Sequence, residues 1–136
     1  MPDLPDLHWD PHPEGGSFAP VWRTPLQVAT AAGLRDAGSC IAYRLEPGER
    51  SRWHRVRGSS ELWLWQGGGE LILTTGGTGE RPADPQQVRL GAGGRLQAVV
   101  APDEWQAAEP AGDEPVQVAC VVVPGFDWAD WQVLED

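Results

Sequence analysis

Apolar residues in this chain recur at every second position over short runs, and turns rich in glycine and proline separate the runs. PVQVACVVVP at 115–124 is the strongest such run and SCIAYRL at 39–45 the next, the latter ending at the turn Glu46-Pro47-Gly48-Glu49. ELILTT (70–75), QQVRLG (86–91), RLQAVVAP (95–102) and 105–108 are further predicted strands. Ser17–Arg23 is expected as an edge strand, because Pro20 cannot donate to a ladder. Residues 25–38 read as a short helix or a loop. In the tail FDWADWQVLED, two tryptophans three apart fit either a helical turn or a final strand. Residues 1–16 and 76–85 carry no period and read as irregular. Strands every ten residues or so, with no long helical period, predict one all-β domain, a sandwich or a barrel.

One segment stands apart, GERSRWHRVRGSSELWLWQG at 48–67. It reads as a hairpin with strands Ser51–Arg57 and Glu61–Gln66 about the turn Gly58-Ser59-Ser60. Alternation puts Arg52, His54 and Val56 on one face of the first strand. Glu61, Trp63 and Trp65 share a face of the second. Pairing across the turn would bring the His54 imidazole and the Glu61 carboxylate together on one wall.

Composition changes the picture in what it excludes. The formal charge of −10 argues against nucleic acid, whose phosphates need a dense basic surface, and against anionic membranes. No apolar run approaches the roughly 20 residues of a membrane span. MPDLPDLHWD lacks the basic and apolar regions of a signal peptide, so a cytoplasmic protein is expected. Cys40 and Cys120 fall in separate predicted strands and read as buried reduced thiols. The absence of lysine and asparagine reads as codon bias of a GC-rich genome rather than as function.

Several stretches resemble the cupin superfamily. Gly48, His54, Glu61 and a closing Gly67 or Gly68 fall in step with its first motif, and Val56 stands where a second histidine would be. The second motif is loosely kept around 101–106, with Gln106 at the histidine position. PHPEGGSF (11–18), SCIAYRL, SRWHRV, ELW, VVAPDEWQAA and VVVPGFDW together are similar to the fifth cupin domain family, over nearly the whole chain. The resemblance implies a double-stranded β-helix, the jelly-roll cupin barrel. It implies a single domain over 1–136, with a core barrel at about 39–126, an N-terminal arm at 1–38, and a homodimer.

The site residues follow from that resemblance and from the residue types. His54 beside Glu61 would serve as a base or acid, and Tyr43, the only tyrosine, would be the partner acid of a sugar-epimerase-like reaction. Trp63, Gln97, Trp105 and Gln106 are expected to bind a ligand, since aromatic walls with a few polar groups describe a small-molecule pocket. Trp53 and Arg55 should face away from His54. No cofactor is required by this reading. A divalent ion held weakly by His54, Glu61 and Gln106 is the alternative, because one imidazole replaces the usual three. Recruiting His8 or His12 would need the arm to fold over the barrel mouth. HPEGG at 12–16 reads as a plain turn ahead of an anion-binding nest. A small-molecule-binding cupin is thus expected. The alternatives are a metal-independent isomerase or epimerase with His54 as base, and a weakly metal-dependent enzyme.

Overall fold

The computed structural model describes residues 7–135. The irregular stretch expected at 1–16 is therefore seen from residue 7 only; residues 1–6 lie outside the described residues. The first strands are β1 (Asp10–Pro11), β2 (Ser17–Arg23), β3 (Gln27–Thr30), β4 (Gly33–Asp36), β5 (Ser39–Leu45), β6 (Ser51–Val56) and β7 (Ser60–Gly68). They are followed by β8 (Leu71–Thr75), β9 (Gln86–Leu90), β10 (Gln97–Val100), β11 (Gln106–Pro110) and β12 (Val116–Val123). A 3-10 turn at Trp128–Asp130 leads into β13 (Trp131–Val133), so the tail contains both of the expected alternatives.

Two antiparallel sheets make the barrel. One has six strands in the order β1-β2-β5-β12-β7-β10, and the other has five, β13-β6-β11-β8-β9. Long β12 is central because both its faces and both its edges are used. Val116 to Val123 pair with β7 on one side, and Val116 to Val122 with β5 on the other. The result is the jelly-roll cupin barrel that the resemblance implied.

Three expectations change. β6 and β7 do not form a hairpin: β6 pairs with β11 and β13, and β7 with β10 and β12. The turn between them is an arch from one sheet to the other. Gly58 takes a left-handed φ of 76° there, and its N–H donates to the Asp103 carboxylate. A short turn permits a hairpin, but the eight-residue ladder offered by β12 wins β7. Next, residues 25–38 contain neither helix nor plain loop. β3 and β4 form a separate hairpin, held by Arg23 on Asp36 at 2.6 Å and by Arg35 on both oxygens of Asp130 at 2.7 and 2.9 Å. Finally, the barrel reaches beyond 39–126, since β2 lies against β5 and β13 against β6. A bulge between Pro20 and Trp22 absorbs the proline that made β2 awkward.

The core sits between the sheets. Leu45, Trp63, Val116 and Val118 come from one sheet and Leu71, Leu73, Leu90 and Ala108 from the other, all buried. Each large aliphatic side chain there contributes about 1.5–3 kcal/mol by leaving water. These residues close one end of the barrel. The other end stays open.

Candidate functional site

A cavity of about 200 Å3 occupies the open end. β5 supplies Ile41 and Tyr43, β6 supplies His54 and Val56, β7 supplies Glu61, and β12 supplies Cys120 and Val122. The alternation of each strand sends these positions inward. Phe18, Trp22, Phe126, Trp128 and Trp131 stand around the opening, and His12 and Glu14 enter from the N-terminal arm.

The arm is held by its own backbone. The Arg52 N–H donates to the Glu14 carbonyl at 2.8 Å, and the Arg52 guanidinium to the Pro13 carbonyl at 2.7 Å. Gly15 and Gly16 have φ of 119° and 73°. A methyl group on Gly15 would run into the Arg50 carbonyl, and one on Gly16 into Leu45 and the Arg44 carbonyl. Only glycine lets this turn lie so close to β5 and β6. The turn at 12–16 seats an acid.

That acid is Glu14, which the sequence reading missed. It is 5 % exposed, and its carboxylate gathers four groups. Ser51 donates a short hydrogen bond from its hydroxyl. The Trp131 indole N–H donates at 3.3 Å, His54 Nε2 lies at 3.3 Å, and His12 Nδ1 at 3.4 Å. The partner of His54 is therefore Glu14. Glu61 has no histidine or arginine nitrogen within 4 Å among the described residues.

Hydrogen bonding assigns the protons. His54 Nδ1 sits 2.7 Å from the Arg52 carbonyl and must donate to it. Nε2 then lies 3.3 Å from the Glu14 carboxylate, an imidazole beside a buried acid. His12 is the opposite tautomer: its Nδ1 accepts from the Glu14 N–H at 3.1 Å, which leaves the proton on Nε2. Burial pushes the His12 pKa down, against the pull of Glu14, and favours this neutral form. Among the described residues none accepts from Nε2, although His12 is 9 % exposed.

Tyr43 lines the same cavity, 1 % exposed, but its hydroxyl donates to the Gly15 carbonyl at 2.5 Å. Burial, and then the nearby Glu14 charge, push its pKa far up. It is a poor acid as placed. Glu61 is raised too, first by burial and also by Glu14, against the opposing pull of His54.

Of the remaining expected ligand residues, none lines the cavity. Gln106 is fully buried behind Glu61, donating to it at 2.9 Å and accepting from the Trp63 indole at 2.7 Å. Trp63 and Gln106 thus hold Glu61 rather than meet a ligand. Trp105 precedes an inward residue and so faces out. There it stacks under Arg55, 4.4 Å from its centroid, and donates to the Gly79 carbonyl. Gln97 is exposed, because Ala98 and Val100 of the same strand take the inward positions. Trp53 and Arg55 do face away from His54: Trp53 lines a shallow groove on the outside of the sheet.

The metal alternative fails on chemistry. The Gln106 oxygen is already taken by Trp63, its nitrogen is turned to Glu61, and Val56 offers no donor. His8 is an exposed partner of Asp10, and no three histidine, cysteine or carboxylate groups among the described residues are arranged to hold an ion. The residues present do not fit a cupin metal.

Comparison with known proteins places this geometry. The sequence matches the family described as Cupin superfamily (DUF985) over residues 4–134. A hypothetical protein from Leishmania major superposes with a TM-score of 0.81 at 28% identity, covering 93% of this chain and 81% of that one. A protein from Shewanella oneidensis gives 0.81 at 25% identity, covering 93% and 78%. A dTDP sugar isomerase from Desulfovibrio desulfuricans gives 0.65 at 14% identity, covering 89% and 82%, a likeness of fold alone. No curated protein matches.

Proposed function

We propose, from the premise that this chain belongs to the DUF985 family of the cupin superfamily, that it binds a small organic ring in the open end of its barrel. The observation that carries this is the cavity itself. About 200 Å3 is bounded by five aromatic side chains at the mouth and by His12, Glu14, Tyr43, His54 and Glu61 within. Cavities on this scale admit guests the size of a benzene ring. An apolar wall with a few convergent polar groups is the usual form of a ligand site. The fit is to one ring with a substituent or two.

A thermal-shift screen of single-ring compounds tests the reading, with Val56→Phe as control, because that substitution fills the cavity from β6. Stabilising compounds should be found and should lose their effect in Val56→Phe. Hits that survive the substitution would put the ligand elsewhere.

A second reading has one observation in its favour: the His54 imidazole lies 3.3 Å from the Glu14 carboxylate inside a binding cavity. A metal-independent isomerase could use it as base and acid in turn. Tyr43, tied to the Gly15 carbonyl, does not supply a separate acid, so the binding role ranks first. Solvent-deuterium exchange into a bound ketose would support the isomerase if His54→Ala slowed it about 100-fold. A homodimer remains part of the proposal, supported by the uncharged outer row of Leu62, Val99 and Val121 on the six-stranded sheet. Sedimentation velocity decides it.

A further inference from the structure

We infer that the ligand is an organic cation, a single ring bearing an ammonium or amidinium group, with the ring among the tryptophans and the positive group at Glu61. This rests on the ligand-binding reading above and names the class of molecule.

The charges inside the cavity lead to it. Glu14 already accepts from Ser51 and Trp131 and has the His54 imidazole 3.3 Å away. His12 is neutral by its hydrogen bonding. Among the described residues Arg23 is the only arginine in the cavity wall, and it is engaged by Asp36 at 2.6 Å and the Phe126 carbonyl at 2.5 Å. Cys120 is a buried thiol whose pKa burial pushes well up, so it brings no charge. Glu61 remains. It is 7 % exposed, lines the cavity, and has no cationic nitrogen within 4 Å among the described residues. Its partners are the neutral Gln106 amide and the neutral Cys120 thiol. A carboxylate has about four acceptor directions, so room remains for a donor from the cavity.

The walls agree with the floor. Phe126 and Trp128 meet edge to face at 4.8 Å, and Trp128 and Trp131 at 5.4 Å, so rings at the mouth present faces in different directions. Aromatic faces attract cations, most strongly where water is excluded. The field of a chain with formal charge −10 draws cations to the opening and repels anions. An anionic ligand would meet two buried carboxylates with no free arginine, and the chain has no lysine. Phosphate-bearing and carboxylate-bearing molecules are disfavoured on the same grounds. His12 Nε2–H adds one neutral donor, which a hydroxyl or carbonyl on the ring can accept.

Three probes of one shape separate the outcomes: benzylammonium, benzyl alcohol and benzoate, titrated by calorimetry into the unaltered protein. Benzylammonium should bind roughly 10-fold or more tightly than benzyl alcohol, with benzoate weakest, on the scale of one desolvated charge pair. In Glu61→Gln the ammonium advantage should fall below about 3-fold while benzyl alcohol binds as before. Should Glu61→Gln fail to fold, the ranking in the unaltered protein decides by itself. Benzyl alcohol or benzoate binding as tightly as benzylammonium would overturn the inference and leave a ligand-binding cavity standing. An ammonium advantage that survives Glu61→Gln would overturn Glu61 as its seat. Binding of none of the three at millimolar concentration would overturn the ligand-binding reading as well.

Discussion

The closed and open ends of this barrel are built by the same strands and filled in opposite ways. β5 puts Leu45 in one end and Tyr43 in the other, β7 puts Trp63 and Glu61, and β12 puts Val118 and Cys120. At the closed end, buried side chains from both sheets meet. At the open end, Glu14 is ringed by Ser51, Trp131 and two imidazoles, Glu61 is held by Gln106, and a cavity remains. A strand pair that packs well at one end can thus carry costly polar groups at the other. Stability and binding are divided along each strand rather than between strands.

Substitutions that respect or cross that division test it. Leu73→Ala, at the closed end, should cost about 2–5 kcal/mol in chemical denaturation, the usual loss for a buried leucine. Its folded fraction should bind single-ring probes as before; a loss of binding in folded protein would show that the two ends are coupled. Trp63→Phe acts at the border. It removes the donor from the Gln106 oxygen, which is fully buried, and should cost about 1–3 kcal/mol. Binding should change with it, because Gln106 then no longer fixes Glu61.

Glu61→Gln acts within the open end and should have the opposite sign. Burial raises the folded pKa of Glu61 above its ordinary value of 4.5. Its contribution is therefore intact below pH 4.5 and is lost as pH rises through the folded value. The variant should melt higher than the parent at pH 8 and equally at pH 4, read by calorimetry across that range. Equal melting throughout would show that Glu61 pays no penalty for its burial. Gln97→Ala is the smallest change. On the exposed side of β10 it should alter stability by no more than about 0.5 kcal/mol and leave binding untouched.

Gln97 also shows what the sequence made legible. Gln97 was expected to bind a ligand, although the run QAVV places Ala98 and Val100 on the opposite face and its alternation already turns the glutamine outward. The same parity separates Trp105 from Gln106. By contrast His54 and Glu61 were expected on inward positions, each in a strand with a clear period, and the structure puts Tyr43 there with them. The strands at 39–45, 71–75 and 116–123 were legible for that reason too. Glu14 was not. It lies in a turn without period, and what makes it the partner of His54 is the docking of that turn on β6, a contact about 40 residues distant that no local pattern expresses. The arch at Gly58 was hidden in a similar way. A short glycine turn reads as a hairpin, and only the competing ladder on β12 decides otherwise.

That arch has a consequence for how the molecule would register an occupant. His54 and Glu61 are seven residues apart in the chain yet stand on different sheets, so a guest between them touches both halves of the barrel at once. Slowed amide exchange on binding would then extend along β6 and β11 in one sheet and β7 and β12 in the other, instead of staying beside the guest. The barrel would breathe less as a whole, and a small ring would be felt at a distance through nothing more than the stiffness of two ladders joined at a corner.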